Sequence, residues 1–143
     1  MSGPEPESDL DFDFGAEANA LLDALDAALH EDGWAAHYST RRGLSTWFDV
    51  ARQRWAGSDT VDDYTNDLCA RDALELALER TTGALHERLA ALVERADQEF
   101  LASTEPDSAM LLGKYFRLDS RSGWWWRRIP VTGGISEQLR AQR

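Results

Sequence analysis

The chain has 143 residues, with 26 Asp and Glu against 15 Lys and Arg, for a net charge of −11. That length buries a core as one domain without staples. The composition, 43% hydrophobic and 29% charged, is that of an ordinary globular protein. A single cysteine, Cys69, excludes an internal disulfide and a cysteine-based metal cage, and fits a reducing cytoplasm.

No apolar run approaches the roughly 18 residues that span a bilayer, so no membrane association is expected. The start, MSGPEPESDLDFDFG, lacks the basic residues and apolar run of a signal peptide. Arg dominates the bases and Ala and Asp are abundant, a bias of GC-rich bacterial or haloarchaeal genomes. Charge is unevenly spread. Residues 1–113 carry 8 Arg against 24 Asp and Glu, or −16; residues 114–143 carry 7 Lys and Arg against 2 acids, or +5. The chain reads as an acidic body with a small basic, aromatic C-terminal part.

Residues 1–14 read as an acidic tail, broken by Pro4 and Pro6, ahead of one domain over 15–143. Within it, Asp9 to Phe14 alternates acid and apolar, a strand period, a short motif that folds on a partner, or a tail whose Phe12 or Phe14 tucks onto the nearest helix. Asp9, Asp11 and Asp13 do not make a calcium loop, because Phe14 and Ala20 stand where Gly and Glu are needed. The first helix is predicted over about 16–31, on the stripe Ala18, Leu21, Leu22, Leu25 and Leu29, ended by Gly33 in a left-handed cap. Trp34 to Tyr38 fits a short strand or a loop. A second helix is predicted over about 45–56, with Leu44, Trp47, Phe48, Ala51 and Trp55 on its core face.

Residues 59–103 contain no proline and one glycine, Gly83. One helix of that length would run about 67 Å, far beyond the roughly 37 Å diameter of a compact chain this size. The apolar stripe also changes phase across Thr81-Thr82-Gly83, so a hairpin of helices over about 60–80 and 84–103 is predicted, with a kinked single helix as the alternative. After Glu105-Pro106-Asp107 the apolar period drops to 2. Leu111–Asp119 and Trp124–Val131 flank Ser120–Gly123, which predicts a β-hairpin with a four-residue loop. The fold class is therefore mainly α (α+β): a bundle of about four helices over about 16–104, a C-terminal β-hairpin over about 112–131, and a short helix or frayed end beyond Gly133-Gly134.

As a strand, Trp124–Trp126 would alternate faces. Phe116, Leu118 and Trp125 would seal the helical core. Tyr115, Arg117, Trp124, Trp126 and Arg128 would share the other face, with Arg117 opposite Trp126 and Tyr115 opposite Arg128. That face either stacks on the chain's own acidic helices or receives a partner, since Trp, Tyr and Arg dominate interface energies. Tyr115, Arg117, Trp124, Trp126, Arg127 and Arg128 are the candidate binding residues.

Catalytic patterns are weaker. His30, His37 and His86 form no HExxH zinc helix and read as solvated helix-end and loop residues. Asp62, Asp63 and Asp67 spell DDxxxD, explained by the dipole at a helix start. Arg80 and His86 satisfy the Arg-x(4–6)-His pattern of HEPN ribonucleases, at a frequency that composition alone supplies, and across the expected helix break. No metal or cofactor is expected. In size, acidity and composition the chain resembles immunity proteins that neutralise basic toxins; that resemblance covers no motif and carries no residue over. The leading reading is a non-enzymatic, immunity- or antitoxin-like protein-interaction module that uses the Trp/Arg hairpin or the acidic helical face. The alternative is a nucleic-acid or anionic-ligand binder that stacks bases on Trp124 and Trp126, opposed by the acidic body. A HEPN-like ribonuclease is third.

Overall fold

The computed structural model describes residues 14–34, 39–52, 61–114, 118, 123–131 and 133–141. In chain order the elements are α1 (Ala16–Glu31), α2 (Thr40–Ala51), α3 (Val61–Arg80), α4 (Gly83–Ser103), β1 (Thr104–Pro106), a 3-10 turn (Leu112–Lys114), a second 3-10 turn (Trp124–Arg127), β2 (Arg128–Pro130) and α5 (Gly134–Arg140). The expected class holds: a helical bundle with a two-stranded antiparallel pair at its C-terminal side.

Helix α1 has the predicted bounds. Gly33 takes φ +107 beyond its end, and the Trp34 N–H returns to the Leu29 carbonyl at 3.0 Å, as a left-handed stop requires. Helix α2 begins and ends about five residues earlier than the periodicity predicts. The reason is capping. The Ser39 hydroxyl accepts the Arg42 N–H at 3.1 Å, and the buried Asp26 carboxylate of α1 accepts both the Thr40 N–H at 2.9 Å and the Thr40 hydroxyl at 2.7 Å. Two acceptors therefore satisfy donors that a helix start leaves open. The short strand or loop read over Trp34–Tyr38 falls largely, and the inclusion of Trp55 in α2 wholly, outside the described residues.

The break between α3 and α4 stands where the phase change predicts it. Thr81 and Thr82 leave helical geometry, and Gly83 takes φ +66, which a side chain would oppose. α2 lies across both long helices. Trp47 and Phe48 of α2, Tyr64 and Leu68 of α3, and Phe100 of α4 are fully buried in one core, each such side chain contributing about 1.5–3 kcal/mol or more. In the middle of α3, Ala73, Leu74 and Ala77 are buried, whereas Leu76 is half-buried. Phe14 also joins the core, beneath the Arg88 guanidinium at 4.7 Å.

The second strand, β2, falls within the expected Trp124–Val131 segment, but its partner lies elsewhere than expected. β1 comes from Thr104-Glu105-Pro106, overlapping the Glu105-Pro106-Asp107 break that ends the helical pattern, and pairs with β2 in the register Thr104 to Pro130, Glu105 to Ile129 and Pro106 to Arg128. The anticipated first strand is diverted at its start, because the Asp107 carboxylate accepts the N–H groups of Leu111 and Leu112, both at 2.8 Å. That acceptor pair favours a turn over an extended chain. The expected pairing of Tyr115 with Arg128 is therefore replaced by Pro106 with Arg128. Residues 115–117 and 119–122 lie outside the described residues. Leu118 does rest half-buried on the core, as expected.

Candidate interaction site at the triple tryptophan

Three consecutive indoles on a strand point alternately to two faces; on a 3-10 turn they step by a third of a turn each. Trp124–Arg127 forms such a turn, so two indoles go inward and one outward. Trp125 and Trp126 are 5% and 6% exposed, and Trp124 is 39% exposed. This corrects the expectation that Trp126 shares a face with Trp124.

Both inward indoles end on one carboxylate. The Trp125 Nε1–H donates to Asp72 Oδ1 at 2.8 Å, and the Trp126 Nε1–H donates to Asp72 Oδ1 at 2.9 Å and Oδ2 at 3.1 Å. Buried indoles require such partners. Burial pushes the Asp72 carboxyl above its usual range, and the two indole donors oppose that shift only in part. Gly123 makes the arrangement possible: a Cβ there would stand 2.3 Å from the Trp125 ring.

Next to Asp72 in α3, the Arg71 guanidinium lies 4.2 Å from the centroid of the Trp125 ring. Its Nε and Nη2 donate to Asp97 of α4, each at 2.9 Å, and its Nη1 donates to Glu75 at 2.9 Å. Burial alone would weaken Arg71's hold on its proton; the Asp97 and Glu75 carboxylates outweigh that and raise it. Asp97 also accepts the Trp47 Nε1–H at 2.8 Å. Two carboxylates, Asp72 and Asp97, thus accept the N–H groups of three buried indoles, and Arg71 bridges them by pairing with Asp97 and stacking on Trp125. Sequence reasoning missed Arg71, Asp72 and Asp97, although the need of buried tryptophans for acceptors was a signal that acids beside the apolar stripes of α3 and α4 have internal partners.

Arg128 is also committed inward. Its Nε donates to the Thr104 hydroxyl at 2.8 Å and its Nη2 to the Thr104 carbonyl at 2.7 Å. This places a cation at the C-terminal end of α4, where the dipole favours one. The Tyr64 hydroxyl donates to the Arg128 carbonyl at 2.8 Å, and burial raises the tyrosine far above its usual pKa. These contacts close the outer edges of the ribbon. Glu105 and Ile129 face each other between the Asp107-to-Arg127 and Ser103-to-Val131 bonds, so the outward groups are those of Thr104, Pro106, Arg128 and Pro130. Two of these four are prolines without N–H, and the Thr104 and Arg128 carbonyls are occupied, so a third strand finds little to pair with.

What remains outward is apolar and basic. Trp124 leans on Phe100, with ring centroids 6.0 Å apart, and meets Trp125 edge-on at 5.6 Å. Arg127 beside it is exposed. Leu101, Met110 and Val131 are exposed large apolar residues near the same ribbon; the fifth among the described residues, Leu21, lies on α1. Tyr115 and Arg117 lie outside the described residues.

The catalytic patterns do not converge. Arg80 donates to Asp32 at 3.1 Å, whereas His86 meets the Thr81 hydroxyl at 3.2 Å across the helix break. Among the described residues, no group of His, Cys, Asp and Glu stands close enough to hold a metal ion, and no helix is long and apolar enough to cross a membrane. Comparison with protein-family models, curated proteins and solved structures finds no match for this chain.

Proposed function

We propose that this chain is a non-enzymatic protein-interaction module, immunity- or antitoxin-like in its use of a small acidic body, and that it meets its partner through the apolar end around Trp124 and Arg127. One observation carries the reading: four of the five exposed large apolar side chains among the described residues lie within four residues in sequence of β1 or β2. Apolar exposure concentrated at one end of a protein marks an interaction surface more often than scattered exposure does. The rigid support beneath it strengthens the reading, because Trp124 leans on Phe100 and on the Trp125 indole, itself fixed to Asp72, and so loses little freedom on binding. Partner contact is by side chains rather than by an added strand, since the ribbon edges are closed. Tyr115 and Arg117 flank this surface in sequence and belong to the proposal.

The test compares partners captured by the full chain and by Trp124→Ala, with protein and nucleic acid both identified by mass. Trp124→Ala is expected to weaken capture by about 2 kcal/mol or more, as a hot-spot tryptophan does, while thermal unfolding changes little. Capture that is unchanged by Trp124→Ala overturns the assignment of this surface. Capture of nucleic acid, with affinity falling by orders of magnitude over a fourfold rise in salt, overturns the protein-partner reading.

A further inference from the structure

Two consecutive indoles reach one carboxylate only if the backbone between them turns. On an extended chain Trp125 and Trp126 would point to opposite faces, and their N–H groups could not meet. The 3-10 turn brings them together, and both donate to Asp72 Oδ1, at 2.8 and 2.9 Å. An extended continuation of β2 is the competing form. Tryptophan favours strands, and the bond from the Asp107 N–H to the Arg127 carbonyl, at 2.8 Å, already carries the pairing one residue past β2. In that form Trp125 stays on the side of the buried Ile129, whereas Trp126 joins Trp124 and Arg128 on the other. Of the three indoles, Trp126 is the one that changes sides. The neighbour of Asp72 does not replace it. Arg71 lies over the Trp125 ring but gives its Nε, Nη1 and Nη2 to Asp97 and Glu75, and a guanidinium offers an indole N–H no acceptor.

We propose that Asp72 is the positioning residue of the interaction surface: by receiving both indole N–H groups it holds Trp124–Arg127 in the turn, and so leaves Trp124 as the one outward indole of the three, seated on Phe100 and Trp125. This inference rests on the reading of that surface given above. The magnitudes let the choice of form hang on one side chain. Without the carboxylate two buried donors lose their acceptor, a penalty of the same order as the gain from keeping one aromatic ring buried. With it, burial and hydrogen bonding both favour the turn. Trp124 follows, because it meets Trp125 edge-on at 5.6 Å and Phe100 at 6.0 Å. The partner therefore meets a single fixed ring rather than two rings on a movable strand, and it finds that ring without first ordering it.

The test uses the full chain labelled with 5-fluorotryptophan, with the Trp124 and Trp126 resonances assigned by Trp124→Phe and Trp126→Phe. Wild type is compared with Asp72→Asn, which keeps Oδ1, with Asp72→Ala, which removes the acceptor, and with Asp72→Glu, which moves the carboxylate out by one methylene. In Asp72→Ala both signals are expected to shift, and that of Trp126 to gain the H2O-to-D2O shift of an exposed ring. Asp72→Glu is expected to move them the same way, and decides alone if Asp72→Ala does not fold. Asp72→Asn is expected to keep the wild-type positions, and the Trp34 signal, from the end of α1, to stay in place throughout. Partner capture, as in the comparison with Trp124→Ala, is the second readout. Asp72→Ala, or Asp72→Glu in its place, is expected to weaken capture at least about threefold, and to add little once Trp124 is already Ala, because the two act as one unit. Trp124 and Trp126 signals that keep their wild-type positions in the Ala and Glu variants overturn the inference. Losses that add in the double variant also overturn it, since they give Asp72 an effect that does not pass through Trp124. Unchanged capture with Trp124→Ala removes the surface and the part of Asp72 in binding, while the fluorine signals still decide whether Asp72 selects the turn.

Discussion

Asp72 holds two indole N–H groups on one half-buried carboxylate, and its replacements separate hydrogen bonding from charge. Asp72→Ala strands both donors and is expected to cost roughly 2–6 kcal/mol, from about 1–3 for each buried unsatisfied group. Asp72→Asn keeps an Oδ1 that both indoles can reach and is expected to cost less. Urea unfolding of the three proteins checks the order. The pH dependence has a definite sign. The folded-state pKa of Asp72 lies above its usual 3.8, so the folded chain holds the proton more tightly than the unfolded chain. Its contribution to stability is then greatest below 3.8 and is lost as pH rises through the folded value. Wild type is expected to lose stability relative to Asp72→Asn as pH rises from 3.8. Asp26, also raised by burial, is common to both proteins and drops out of the difference. Equal slopes in the two proteins would show that Asp72 is not the titrating group.

Among the elements, α2 and the ribbon are where physical reading of the sequence succeeds least. Ser39→Ala removes the hydroxyl that accepts the Arg42 N–H and is expected to cost about 1 kcal/mol by chemical unfolding. The loss should be smaller than that of Asp26→Ala, which frees the Thr40 N–H and hydroxyl together. Helices α1, α3 and α4 were legible because long apolar stripes and the Thr81-Thr82-Gly83 interruption carry their bounds locally. The start of α2 was not, because half of its cap is Asp26, fourteen residues upstream in another helix. The position of the first strand escaped for a similar reason. Asp107 captures Leu111 and Leu112, and the partner of β2 is a three-residue stretch too short to show a period. The candidate site was half legible. Trp125 in the core and Trp124 outside follow from either a strand or a turn; Trp126 on Asp72 follows only from the turn. Arg128 looked like a surface cation until the end of α4 stood beside it.

At the scale of the whole molecule, the basic C-terminal part is the piece that completes the acidic helices. Trp125, Trp126, Ile129, Ile135 and Leu139 all enter the common core. The Gln138 side chain accepts the Val61 N–H at 3.2 Å, and Arg140 pairs with Glu105. Leu139→Ala is therefore expected to cost about 2–5 kcal/mol, the range for truncation of a buried leucine, with an unchanged denaturant m-value if the whole domain unfolds as one unit. A cost under 1 kcal/mol would mean that α5 frays independently of the bundle.

The order of synthesis gives this closure a further consequence. Domains generally fold from the N-terminus as they are made, but α3 emerges about fifty residues before the tryptophans that Asp72 receives. Until they arrive, the Asp72 carboxylate has no indole donors, and the core surface that Trp125, Trp126, Ile129, Ile135 and Leu139 cover is open to solvent. The nascent helices therefore share a sticky surface that the segment from Gly123 to Leu139 helps to hide. A ribosome stalled before Trp124 holds a chain with most of its helices and an unfinished core, which is the form of this protein most in need of a chaperone.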